Sequence, residues 1–102
     1  MSFTKYYPAW LVDLAKRQFP ELDWLPLALE ACTEAERTED GYGEVVIFID
    51  RMEGKFRENI ILIEPKVGRI ALDILIDGRV AGYSVIEMPF AKAYTDESEN
   101  SN

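Results

Sequence analysis

The segment TEDGYGE, residues 38 to 44, sets Glu39, Asp40 and Glu44 around Gly41 and Gly43, the composition of a loop that wraps a hard cation in oxygen. A helix-loop-helix calcium site takes ligands at positions 1, 3, 5, 7, 9 and 12, with glycine at 6 and an apolar residue at 8. With Gly41 placed sixth, Glu36, Thr38 and Asp40 fill the first three ligand positions. Gly43 then stands where the apolar residue belongs, and Ile47 where the bidentate glutamate belongs. The strand-like VVIFID that follows replaces the second helix. The spacing therefore predicts a helix stop, with Gly41 in the left-handed conformation that ends a helix and Gly43 easing the start of a strand. No metal and no cofactor are expected.

Other chemistry-bearing residues are sparse. The chain has no histidine, which removes the common zinc constellations and every Ser-His or Cys-His nucleophile pair. Cys32 is the single cysteine and falls on an apolar stripe, where a thiol is a small core residue with a raised pKa. Asp73 has Ala71 and Ser84 beside it and Gly82 opposite, a shallow concavity with one carboxylate, flanked by Asp77 and Arg69. The aromatics of KYYPAW, residues 5 to 10, either anchor a partner or cap the core; the core reading is the simpler one. EGKF, KVGR and DGRV are lone glycines beside single bases, without the spacing of a phosphate loop.

The acids are the strongest signal. Formal charge is -8, and residues 21 to 44 hold eight acids against one base. Such a field repels phosphate backbones and attracts cationic surfaces. Glu36, Glu39 and Asp40 are expected at a helix C-terminus, where the dipole makes each unfavourable by about 0.3 to 1 kcal/mol. Glu30, Glu34, Glu36, Glu39, Asp40 and Glu44 are accordingly the candidate partner-binding residues, supplying charge for steering and acceptors for arginine.

Two helices and a set of strands must position these groups. In YPAWLVDLAKRQFP, Trp10, Leu11, Leu14, Ala15 and Phe19 recur at helical spacing between Pro8 and Pro20. In DWLPLALEACTEAERTEDG, Asp23 is a natural N-cap, Pro26 fits the first turn, and Leu25, Ala28, Leu29, Cys32 and Ala35 form one stripe. From Glu44 the period becomes that of strands: EVVIFID, RENIILIE, RIALDILID and RVAGYSVIEM, separated by RMEGK, PKVG and DG. Connections this short require antiparallel neighbours. A two-residue turn at Asp77-Gly78 would set Ile76 against Arg79, Ile74 against Ala81, Leu72 against Tyr83 and Ile70 against Val85. That apolar face is the one the helices should cover.

The expected architecture is one α+β domain over residues 1 to 94. Two N-terminal helices pack on one face of a four-stranded antiparallel β-meander, and residues 95 to 102 form a disordered acidic tail. The N-terminus lacks the run of a secretory signal, and the longest branched or aromatic run, VVIFI, is far short of the about 20 residues a membrane span needs. A cytoplasmic protein is expected, without membrane or direct nucleic-acid contact.

The expected function is that of a non-catalytic, inhibitor-like binding domain, in which the acidic helix and loop mask a basic surface of a partner protein, one that itself binds nucleic acid in the sharper form. The competing readings are a small-ligand or enzymatic domain around Asp73, and a structural subunit that assembles, as a homodimer for example, through a sheet edge.

Overall fold

The computed structural model describes residues 3 to 40, 43 to 50 and 53 to 86, with the side chains of Glu39 and Asp40 outside the description. The tail expected at 95 to 102, the domain limit at 94 and the conformation of Gly41 lie outside these residues. Helices α1 (Ala9–Gln18) and α2 (Trp24–Glu30) stand where the apolar periodicity puts them. Pro8 opens α1, its carbonyl accepting from the N–H groups of Leu11 and Val12. Asp23 occupies the N-cap of α2 but makes no side-chain capping bond.

The second helix is much shorter than its sequence suggests. It stops at Glu30, the chain turns through the Cys32 N–H bond to the Leu29 carbonyl, and Glu34–Asp40 is a strand. Glu, Ala and Arg favour helix intrinsically, yet past Cys32 only Ala35 would continue the apolar stripe. A strand buries that same Ala35 completely enough to leave 1 % of it exposed and gives the backbone two partner strands. Tertiary pairing overrides local propensity here.

Among the described residues the sheet has six strands: β1 (Thr4–Lys5), β2 (Glu34–Asp40), β3 (Gly43–Ile47), β4 (Phe56–Glu64), β5 (Gly68–Leu75) and β6 (Val80–Ile86). All neighbours are antiparallel, in the order β1-β2-β3-β6-β5-β4. The expected four-stranded meander is therefore wrong in count and in topology. Only β4, β5 and β6 run as a meander; β3 lies beside β6, a Greek-key arrangement. Residues 48 to 55 must carry the chain past the ends of β6 and β5, about 14 Å at ordinary strand spacing. Eight residues reach that far with slack, so short connection length did not force adjacency.

The β5-β6 turn explains how this crossing is held. Gly78 N–H donates to the Leu75 carbonyl, Leu75 N–H donates to the Arg79 carbonyl, and Gly78 takes φ +90. The loop thus has three residues, Ile76 to Gly78, and Leu75 rather than Ile76 stands against Arg79. An irregularity between Asp73 and Ile74 leaves Ala81 as an extra residue on β6, after which Asp73 pairs Gly82, Leu72 pairs Tyr83 and Ile70 pairs Val85. The longer loop and the bulge cancel, so the expected register fails at Ile74 and holds from Asp73 outward. The bulged Ala81 carbonyl accepts from Phe48 and Ile49 N–H at 2.7 and 3.0 Å, tying the start of the crossing to β6.

One face of the sheet carries the core. Ala35, Val46, Ile60, Leu62, Ile70, Leu72, Ile74, Tyr83 and Val85 all point to the side where Leu11, Leu14, Ala15, Leu25, Leu29 and Cys32 of the helical segment are buried. Tyr6 joins them: its hydroxyl lies 2.8 Å from that of Tyr83 and accepts from Trp10 Nε1 at 3.1 Å. Burial pushes both phenols above their ordinary pKa. KYYPAW is therefore divided, with Tyr6 in the core and Tyr7 exposed. No helix among the described residues is long and apolar enough to cross a membrane.

Candidate functional site

The six acids expected to act together do not share one surface. Glu30 ends α2 and lines the outer groove between the helices with Lys16, Val12 and Leu27. The expected helix C-terminus beneath Glu36, Glu39 and Asp40 does not exist, and with it goes the dipole penalty that singled them out. On β2 the side chains alternate: buried Ala35 faces the helices, so Glu34, Glu36 and Thr38 face the opposite side. Arg37, on the helix side, lies 5.3 Å from the Tyr6 ring and donates to Glu44 at 3.1 Å. Glu44 is thus neutralised within the molecule. Glu39 and Asp40 pair through the backbone with Glu44 and Gly43.

The other candidates are equally well explained by local structure. Cys32 Sγ donates to the Ala28 carbonyl at 3.4 Å, and burial pushes its thiol up to about 12, which makes it a core residue. It borders a cavity of about 210 Å³ shared with Glu34, Phe48 and Arg79. Asp73 accepts from Asn59 Nδ2 at 2.7 Å across the strand pair. Asp77 holds the turn by accepting from Arg79 N–H and Nε at 3.1 and 2.7 Å, bonds that keep its carboxyl below the usual carboxylate range. Among the described residues, no group of three carboxylate or thiol side chains is placed to hold a metal ion.

The surface that sequence reasoning missed is the sheet face turned away from the helices. Its residues line up in rows across the strands. Ile61, Ala71, Ser84, Val45 and Thr38 form one row; Asn59, Asp73, Gly82, Ile47 and Glu36 form the next; Ile63, Arg69 and Ile86 form a third. Ile61, Ile63 and Ile86 are 42 %, 48 % and 40 % exposed, and no described element covers them. At the β2 end of the Asp73 row, Glu36 Oε1 is shut off from solvent and has no hydrogen-bond partner. A shielded carboxylate oxygen without a donor is costly. The signal was present in NIILI, residues 59 to 63, where apolar residues occupy both faces of one strand.

The sheet edges are closed where the face is open. β1 is two residues long, and β4 has a register shift at Arg57 together with the charged pair Arg57 and Glu58. Gln18 of α1 occupies the outward backbone of Ile63, donating from Nε2 to its carbonyl at 2.7 Å and accepting from its N–H at 2.9 Å. These are the usual devices against strand addition. β3, which has only Glu44 and Asp50 as charged guards, is interior, between β2 and β6.

Comparison with protein-family models, with curated proteins and with solved structures finds no match for the chain.

Proposed function

We propose that the protein is a non-catalytic acidic binding domain that covers a basic surface of a partner protein, and that it binds through the open sheet face rather than through an acidic helix. The reading is carried by one observation: an uncovered aliphatic face, holding Ile61, Ile63 and Ile86, ends at the orphaned carboxylate oxygen of Glu36. Contiguous exposed apolar surface rimmed by polar groups marks interaction sites, and a buried carboxylate oxygen is satisfied by a lysine or arginine brought to it. Glu34, Glu36 and Asp73 outnumber Lys5, which pairs with Glu34, and Arg69 on this face, an acidic balance in keeping with the -8 of the chain. A partner whose basic surface binds nucleic acid would be inhibited by such occupation. The reduced, core-packed Cys32 accords with a cytoplasmic setting.

The test is affinity capture with the whole chain and two variants, Ile61→Asp with Ile63→Asp, and Glu34→Lys with Glu36→Lys. The wild type retains basic proteins that high salt releases, and both variants lose them while keeping the wild-type circular dichroism. Retention of the same proteins by both folded variants overturns the proposal.

A further inference from the structure

We infer that the occupant of the open face is an amphipathic α-helix of the partner, laid along β5 and β6, with aliphatic residues on the sheet and a basic residue reaching Glu36. The inference rests on the binding role proposed above and specifies its geometry. The two central strands present Ala71, Gly82 and Ser84, small groups that form the floor of a trough. Its walls are Ile61 and Ile63 on β4 and Val45 and Ile47 on β3. β3 and β4 are three strand spacings apart, about 14 Å, which admits a helix with side chains, about 10 to 12 Å across. The row of Arg69 and Ile86 closes one end of this floor, and from it to the row of Asp73 is about 14 Å, the length of a helix of about ten residues.

An added strand is disfavoured because β1 is too short and the β4 edge is occupied by Gln18 at Ile63 and distorted at Arg57. A second copy of the chain would set Glu34, Glu36 and Asp73 against themselves in a molecule of formal charge -8, whereas a basic helix is attracted. Glu36 lies one strand beyond the Val45 and Ile47 wall, within reach of a long arginine or lysine on the flank of a helix seated in the trough. Its carboxylate, whose Oε1 is shielded and without a donor in the free protein, is the acceptor such a side chain would satisfy once it turns outward. Asp73 on the trough floor favours the positive end of the helix dipole above it, so the helix runs antiparallel to β5.

The test uses the whole chain with methyl-labelled isoleucine, leucine and valine, so that Val12, Leu22 and Leu27 report on the groove between the helices, and a blocked peptide of about 14 residues, leucine and arginine in helical period. A leucine-glutamate peptide of the same pattern is the control. The Leu-Arg peptide should become helical and shift the methyls of Ile61, Ile63 and Ile86 while Ile60, Ile70 and Ile74 stay in place. Ala71→Trp and Ser84→Tyr, which fill the trough, should each abolish these shifts. Glu36→Gln should weaken binding by about tenfold. Shifts confined to the groove between α1 and α2, equal binding of the Leu-Glu peptide, or a dimer of the chain closed by the same isoleucines in light scattering would each overturn the inference. If the captured basic partner binds the folded Ala71→Trp protein as well as wild type but is lost from Ile61→Asp with Ile63→Asp, the helical geometry fails and the binding face stands.

Discussion

Gln18 and Ile63 hold each other as two strands would, the side-chain amide of one matching the peptide unit of the other at 2.7 and 2.9 Å. The pair docks the last turn of α1 against β4 and stops that strand from accepting a neighbour. Gln18→Ala should lower stability by about 1 kcal/mol, since two exposed hydrogen bonds of modest net worth are lost. It should also let the protein associate at concentrations where wild type is monomeric. Gln18→Glu should behave the same way, because a carboxylate cannot donate to the Ile63 carbonyl. Thermal unfolding and light scattering check both effects; a variant that loses stability without associating would show that the amide serves docking alone.

Alkaline pH should unfold the protein through groups that are neutral in the core. Cys32 is pushed up to about 12, and Tyr6 and Tyr83 are also raised, all by burial first. A raised folded pKa gives stability that is complete below the unfolded pKa, about 8.5 for a thiol and 10 for a phenol. That stability is lost as pH rises toward the folded values, because the unfolded chain releases its protons first. Urea midpoints should be flat from pH 7 to 8 and fall steadily above. Cys32→Ala should delay the onset of the fall, and Tyr83→Phe should flatten its upper part. A midpoint that does not change up to pH 11 would contradict the burial of these groups.

Much of the fold was legible because its periods are clean. The stripe of α1 and the apolar face of β5 and β6 follow from residue spacing alone, whereas the pairing of Leu72 with Tyr83 came out as expected because the third loop residue and the bulged Ala81 offset each other. The failures share one cause, long-range pairing that local sequence does not encode. Glu34 to Asp40 reads as helix by propensity and becomes a strand because β1 supplies partners from 31 residues away, Thr4 beside Ala35, and β3 supplies the others. The meander failed because a slack crossing lets β3 choose β6. The acids were visible as a cluster in sequence, but alternation along β2 and the Arg37 bond to Glu44 divide them between faces.

The two sides of β4 should respond oppositely to substitution. Leu62 is completely buried on the helix side, so Leu62→Ala should cost about 2 to 5 kcal/mol by leaving a cavity. Ile61, one residue earlier and on the open face, is 42 % exposed. Ile61→Asp should change stability by no more than about 0.5 to 1 kcal/mol while improving solubility. Chemical denaturation of the two variants decides the matter, and a large loss in Ile61→Asp would mean that part of the chain covers this face.

Two glycines should separate steric from conformational cost. Gly78 sits at φ +90 with open space around its Cα, so Gly78→Ala meets no neighbour and costs only the strain of a left-handed backbone, about 1 to 2 kcal/mol. Gly82 has an ordinary backbone, but a Cβ there would collide with the Val46 carbonyl oxygen and crowd Ile47 Cα. Both obstacles are backbone atoms of the neighbouring strand, which cannot rotate away. Gly82→Ala must therefore push β3 from β6 and weaken the pairs Val46 with Tyr83 and Ile47 with Gly82, at a cost of about 2 to 3 kcal/mol. Amide hydrogen exchange should locate the damage, with protection lost in β2 and β3 and retained in β4 and β5. If both alanine variants lose stability equally and exchange uniformly, the tight β3-β6 approach is not what requires glycine at 82.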